Sequence, residues 1–468
     1  MLDYSLKIGI ICGRRDIADA ATRKGIFEPA AAIANKEKVV PYIKETFSDE
    51  MTEFVDVEWL NDEGLLIKNT EVDEVVKHFK AEGVNAIILA NCNFGNEEAM
   101  GQVAKKLALP TLLWGPQDMR FDPDGMRYTD AQCGLFAISK QLRRLRVPFT
   151  YVENCPVESP VFAEGMAKFL SVACMVNNFK KLNVVQVGTR LNPFKSVMAN
   201  ELELTEKFGI NMNTVNMAVF SQKMNRIYEE EGEALQKEVD KLREMYDTEG
   251  ITDDHFKRIM TIAYAYKEVF DETGCDVISS ECWTAMPQSI GVAPCLAMSV
   301  LADRGYLVTC ESDVYGAITQ ALLKCATRGK GAPLFGEFTV RHPENKNSEL
   351  LWHCGPFPYS MKKEGTVGSL RNAGKPAFRV KDGEYTIARF QGDAGKYTLL
   401  GGEFKTTEGP HTFGTYMWAE FENLSKIEKK LIEGPYIHHM SEIYGNYGEV
   451  LKEFCKYVPE IEFDDINN

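Results

Sequence analysis

Short runs rich in Val, Ile and Leu alternate with helix-patterned segments along the first part of this chain. That alternation constrains the fold more than any other feature. Residues 6–13 (LKIGIICG), 54–60 (FVDVEWL), 84–94 (VNAIILANCNF) and 110–115 (PTLLWG) read as strands, and residues 29–47, 71–83 and 96–110 between them read as helices. Strand–helix–strand repetition implies βαβ units and a parallel sheet. The turn after the first strand is GRR and lacks GxGxxG, so no dinucleotide-binding site is expected.

A second cycle begins near residue 175. Residues 182–190 and 211–220 read as strands around a helix at 195–209 that closes on Gly209. Two long helices follow at 224–246 and 253–274, then a strand at 275–283, and the segment 286–305 reads as a loop. After about residue 335 helical periodicity fades. Alternating, aromatic-rich runs are separated by Gly, Asp and Lys-Asp-Gly turns, with KDGE (381–384) as a hairpin signal and one final helix near 444–457. The fold expected is α/β: two Rossmann-like parallel-sheet domains, at 1–175 and 176–340, followed by a C-terminal antiparallel β-barrel-like domain at 341–468. The second domain would carry the metal carboxylates named below.

Bulk properties exclude several function classes. At 468 residues the chain is long enough for roughly two to four domains. Its net charge of −15 disfavours nucleic acid and anionic membrane, and the one basic run, LRRLRV (142–147), reads as a helix end or subunit contact. The N-terminus lacks a signal-peptide pattern, and no apolar stretch reaches the ~18 residues of a membrane span. The 12 cysteines contain no CxxC pair, which points to reduced thiols in a cytoplasmic protein and argues against cysteine-ligated zinc.

Chemistry-bearing residues concentrate in the last third. Glu311 sits between a strand-like run (305–310) and a helix-patterned run (312–329), where α/β proteins place their sites. Alone it reads equally well as a charge favouring a helix N-terminus, with Asp313 as the cap. Glu337 lies in LFGEFTVRH (334–342), either on an exposed edge or buried with a partner. His353, one of only 7 histidines, lies in the apolar run LLWHCGPF (350–357), where a hydrogen-bonded core histidine is the competing reading. His438 and His439 point to opposite faces if extended, so at most one of them would normally ligate, and His411 in GPHTFG is the reserve. Two carboxylates and two imidazoles suit a divalent ion such as Mn²⁺.

The order and spacing of these positions carry a resemblance: 26 residues from Glu311 to Glu337 (337 − 311), 16 to His353 (353 − 337) and 86 to His439 (439 − 353). They resemble the metal site of the L-fucose isomerase and L-arabinose isomerase superfamily. In its arabinose isomerases a Glu-x-Asp, a Glu on the next strand, a His and the second His of a Gly-x-His-His run bind Mn²⁺. Fucose isomerases use an Asp as second carboxylate and a different His pattern, so these four positions look closer to the arabinose type. Residues 135–149 (LFAISKQLRRLRVPF) and 300–323 also read like fucose-isomerase-like proteins, although this chain is shorter than a typical fucose isomerase. The resemblance covers the whole domain order.

It implies a metal-dependent aldose–ketose isomerase acting through an enediol(ate). Glu311 and Glu337 would serve in proton transfer and ligation, with His353 and His439 completing the Mn²⁺ shell. The substrate would be a small-molecule sugar, and the protein a homo-oligomer, trimer or hexamer, in which the N-terminal domain completes a neighbour's site. Arg14, Arg15, Trp114 and Gln288 are the candidate sugar contacts. A metal-dependent epimerase or lyase and a non-catalytic sugar-binding protein are the alternatives.

Overall fold

The computed structural model describes residues 1–371 and 374–468. They form two compact units, Tyr4–Asn177 and Met1–Asp3 with Asn178–Asn468. The first unit is built on five parallel strands: β1 (Leu6–Cys12), β2 (Thr52–Asp56), β3 (Ala86–Ala90), β4 (Thr111–Trp114) and β5 (Thr150–Tyr151), in the order β2-β1-β3-β4-β5. Alternate residues of each strand face opposite cores. Ile8, Ile10, Ile88 and Trp114 pack with helices Pro29–Phe47 and Pro160–Phe179, while Ile11, Ile87, Leu89 and Leu113 pack with Val72–Ala81, Glu97–Leu107 and Ala131–Arg144. Burial on both faces explains the unbroken apolar runs. Each fully buried Ile or Leu contributes roughly 1.5–3 kcal/mol. Gly9 is required by close approach, since a Cβ there would lie 2.3 Å from the Phe79 ring.

The second unit holds two sheets. Its parallel sheet uses β6 (Asn183–Val187) and β7 (Asn211–Val215), then, after the two-residue β8 (Tyr246–Asp247), β9 (Val277–Ser280) and β10 (Val308–Thr309), in the order β10-β9-β6-β7. The second, mostly antiparallel sheet comprises β11 (Leu334–Arg341), β12 (Ser348–His353), β13 (Gly368–Arg371), β14 (Lys375–Arg379), β15 (Glu384–Asp393), β16 (Lys396–Thr407), β17 (Thr415–Glu420), β18 (His439–Tyr444) and β19 (Ile461–Asp465), with β14–β17 and β16–β19 parallel. Six of these close into a barrel, β16-β15-β18-β11-β12-β17, because β17 pairs back onto β16. The fold is therefore two parallel-sheet α/β layers followed by a closed antiparallel barrel, the order expected from the sequence. Among the described residues no helix is long and apolar enough to cross a membrane.

Three local expectations need correction. The segment read as a loop at 286–305 contains helices Ala285–Ile290 and Cys295–Asp303. The second is buried continuously from Cys295 to Leu301, so it has no polar stripe to betray it. KDGE does not close a hairpin: β14 pairs with β13 and β17, and β15 with β16 and β18. The tight hairpin is Asp393–Lys396, with left-handed Ala394 (φ 49°) and Gly395 (φ 79°) supplying the twist that a two-residue turn needs. The final helix, Gly448–Cys455, is followed by strand β19, and Leu424–Glu433 forms a further helix before β18.

Candidate metal centre

The site lies within the second unit, where the end of β10 meets the barrel. Glu311 occupies the turn between β10 and helix Val314–Ala326. It has left-handed backbone angles (φ 64°, ψ 23°), and the next residue, Ser312, has φ 55°. Two consecutive non-glycine residues in this region cost of order 1–3 kcal/mol each, a strain that sets the direction of the Glu311 carboxylate. Asp313 then caps the helix through Gly316 N–H at 2.9 Å. Glu337 on β11 is the direct cross-strand partner of His439 at the start of β18. His353 is the last residue of β12, which pairs with β11 on its other side.

These placements bring four side chains together. His439 Nε2 lies 3.1 Å from Glu311 Oε2 and 3.8 Å from Glu337 Oε1, and His353 Nε2 lies 3.3 Å from the same Glu337 oxygen. One ligand atom each from Glu311, Glu337 and His353 fall within 4.8 Å of one another. Glu311 Oε2, His353 Nε2 and His439 Nε2 are all buried and none makes a hydrogen bond. Glu311 Oε2 and His439 Nε2 are thus near in distance but not aligned as donor and acceptor. Three orphaned buried polar atoms converging on one point are costly unless something binds them, and a carboxylate–imidazole donor set fits a divalent ion of the Mn²⁺ class.

The electrostatics favour positive charge at this point. Burial pulls the His353 imidazole down, but Cys354 and the Glu337 and Glu311 carboxylates more than offset it, leaving it pushed up to about 10. His439 is likewise raised despite burial, held up by Asp313 and Glu311. Burial raises the Glu337 carboxyl above its ordinary range, partly offset by His353 and His439.

Asp313 orients His439. Its Oδ2 lies 2.9 Å from His439 Nδ1, and the carboxylate also accepts from Arg389 Nη1 at 2.5 Å and Nη2 at 3.1 Å. Asp313, Arg389 and His439 are all fully buried. Burial opposes the Asp313 charge, yet Arg389 and His439 hold the carboxyl well below the usual range. With Nδ1–H given to Asp313, Nε2 keeps its lone pair for the cluster. The sequence marked Asp313 only as a helix cap and gave no sign of Arg389, whose partner lies 76 residues away.

The remaining candidates fall elsewhere. His411 contacts the Tyr416 hydroxyl at 3.2 Å and stands outside the four-residue group. His438 is exposed, with a ring nitrogen within 4.8 Å of ligand atoms of Glu337 and His439. Gln288 is exposed on helix Ala285–Ile290. Arg14, Arg15 and Trp114 belong to the first unit. Trp114 is fully buried, its ring centroid 4.4 Å from that of Phe162, so it has no face free for a sugar, contrary to expectation. Arg14 is occupied by Glu63 at 2.5 and 2.7 Å. Arg15 is exposed, with its guanidinium 4.4 Å from the Phe94 ring centroid.

Comparison with known proteins points to sugar isomerases. Residues 18–180 match the family model "Fucose/sulfoquinovose isomerase, N-terminal domain". The chain is 26% identical over 436 residues to a sulfoquinovose isomerase from Priestia aryabhattai, covering 88% of this chain and 95% of that protein. A sulfoquinovose isomerase from Alkalicoccus urumqiensis is 23% identical over 394 residues, covering 81% and 86%. Among solved structures, a periplasmic solute-binding protein from Actinobacillus succinogenes matches at 12% identity and a TM-score of 0.16, over 70% of this chain and 93% of that one. The chain is thus similar to fucose-isomerase-like proteins. The relatives it matches along most of its length are sulfoquinovose isomerases.

Proposed function

We propose that this chain, an aldose–ketose isomerase, takes sulfoquinovose or a closely related sugar as its substrate and works with a divalent ion of the Mn²⁺ class held by Glu311, Glu337, His353 and His439. The observation that carries the reading is the convergence of three buried, unbonded ligand atoms, Glu311 Oε2, His353 Nε2 and His439 Nε2, beside Glu337. A bound ion would supply Lewis acidity toward the sugar carbonyl and its neighbouring oxygen.

The chain's own groups would do the rest. Glu337 is the least buried of the four side chains, at 17% exposure, so substrate reaches it most readily. Its raised carboxyl suits a group that takes the C2 proton and returns it to C1 through an enediol(ate). Glu311 shares ligation and proton transfer, and Asp313 keeps His439 in the ligating tautomer. We also propose assembly as a homo-oligomer, trimer or hexamer, which light scattering reads directly.

The test is incubation of the protein with a panel of aldoses that includes sulfoquinovose, with and without Mn²⁺, followed by NMR. The expected result is conversion of one aldose to its ketose with no carbon lost, abolished by chelation. Formation of a C2 epimer alone, or of two shorter fragments, would move the protein to the epimerase or lyase reading.

A further inference from the structure

Four cysteines gather against the carboxylate–imidazole cluster, and the proposed isomerisation uses none of them. Cys295 Sγ and Cys354 Sγ lie 3.3 Å apart. Cys310 Sγ and Cys354 Sγ share a 4.8 Å neighbourhood with a ring nitrogen of His353, and Cys282 Sγ and Cys310 Sγ share another with a Glu311 oxygen. No sequence pattern marks this grouping, because the four positions are spread from 282 to 354 with no short repeat.

The Cys295–Cys354 pair differs from an ordinary buried thiol contact in two respects. A disulfide needs an S–S separation of about 2.05 Å, so the two sulfurs need approach by only about 1.3 Å from their 3.3 Å spacing. Cys354 is also partly exposed, whereas Cys295 is buried. A thiol that an oxidant can reach, in contact with a second thiol that it reaches less easily, is the arrangement in which an oxidised sulfur is captured rather than oxidised further.

We infer that Cys354 and Cys295 form an oxidative modification site that closes to a disulfide when the protein meets a hydroperoxide. In the first step Cys354 sulfur attacks the peroxide O–O bond, giving a sulfenic acid and releasing one water (an alcohol, for an organic hydroperoxide). In the second, Cys295 sulfur attacks the sulfenic sulfur and displaces its hydroxyl, which leaves as water with the thiol proton. The two thiols lose two electrons in total and the peroxide gains them.

The site is coupled to the cluster through His353. The Cys354 backbone nitrogen lies 2.8 Å from His353 Nδ1, and Cys354 Sγ lies 3.3 Å from the same nitrogen. Drawing Cys354 Sγ toward Cys295 removes that contact and turns the imidazole whose Nε2 lies 3.3 Å from Glu337. Loss of such an outer contact typically weakens metal binding ~10–100-fold.

The experiment uses the full chain, reduced, freed of reductant and exposed to hydrogen peroxide at a few molar equivalents, then digested without reduction for mass spectrometry. The expected product is a Cys295–Cys354 linked peptide pair, two hydrogens lighter than the free peptides and separated by dithiothreitol. In Cys295→Ser the linked pair is expected to vanish, and dimedone should instead trap a sulfenic acid on Cys354. Exposed Cys133 is the control for unselective oxidation. A wild-type digest in which Cys354 stays reduced, or goes to sulfinic acid without linking to Cys295, overturns the inference. Mn²⁺ affinity of the oxidised protein is expected to fall at least ~10-fold and to recover with dithiothreitol; a linked protein with unchanged affinity overturns the coupling to His353. The mass measurement does not depend on turnover, so it stands or falls separately from the isomerase reading.

Discussion

Asp313→Asn isolates the orientation of His439 from the cap that Asp313 also provides. Asn caps a helix about as well as Asp, so the 2.9 Å bond from Gly316 N–H can survive. The charge cannot, and it is shared between Arg389 at 2.5 Å and His439 Nδ1 at 2.9 Å, all of it buried. If the Asn amide nitrogen takes the place of Oδ2, it donates to His439 Nδ1 and drives the ring proton to Nε2, the atom meant for the metal. If the amide flips, its N–H groups meet the Gly316 N–H. Either arrangement loses a good contact. Removing one partner of a buried ion pair costs ~3–5 kcal/mol of stability, and loss of the outer carboxylate weakens metal binding ~10–100-fold, or ~1.4–2.7 kcal/mol. Calorimetric titration with Mn²⁺, run where circular dichroism shows the variant folded, reads the second quantity. A folded Asp313→Asn protein that binds Mn²⁺ within twofold of wild type would refute the orienting role.

Other perturbations follow from the same geometry. Glu337→Gln keeps the shape of a partly exposed side chain, so the protein should fold while turnover falls at least ~10²-fold; progress curves under saturating metal check this, and near wild-type turnover would remove Glu337 from proton transfer. In the metal-free protein His353 is pushed up to about 10 from an unfolded value near 6.5, so its stabilising contribution is full below about pH 6.5 and is lost as pH rises toward 10. Thermal melts should therefore fall across that window while Mn²⁺ affinity rises, and opposite slopes would contradict the assignment. Glu442 is fully buried with neither carboxylate oxygen bonded, and burial pushes it up to about 8. Its neutral form suits the fold, so stability is lost as pH rises from about 4.5 through 8. Glu442→Gln should accordingly be more stable than wild type above pH 8 by up to a few kcal/mol, read as the difference between the two denaturation curves at pH 9.

The parallel sheets were legible because burial on both faces writes an unbroken apolar run, as at Ala86–Ala90. The barrel strands were legible from aromatic-rich runs cut by Gly and Asp turns, although strands such as β15 and β18 are buried on both faces. Helix Cys295–Asp303 was hidden for the converse reason: seven consecutive buried residues carry no period to distinguish helix from loop. The hairpin at Asp393–Lys396 was hidden because its first left-handed residue is Ala394, not the Asn or Asp that usually marks such a turn. At the candidate site, the family resemblance picked out Glu311, Glu337, His353 and His439, which the fold brings within a few ångströms of one another. Their supports were not legible. Arg389 reads as an ordinary polar position of an alternating strand, yet it is fully buried, and its role depends on Asp313, 76 residues away. Trp114 misled because an aromatic at a strand end suits either a binding face or a core, and here the core claims it.

Anomalous diffraction at the manganese edge, from crystals soaked in Mn²⁺, tests the metal centre most directly. One peak per chain is expected, at roughly 2.0–2.4 Å from carboxylate oxygens of Glu311 and Glu337 and from Nε2 of His353 and His439. A peak held by other side chains, or none at saturating Mn²⁺ with these four still converging, would contradict a metal-dependent site at this position.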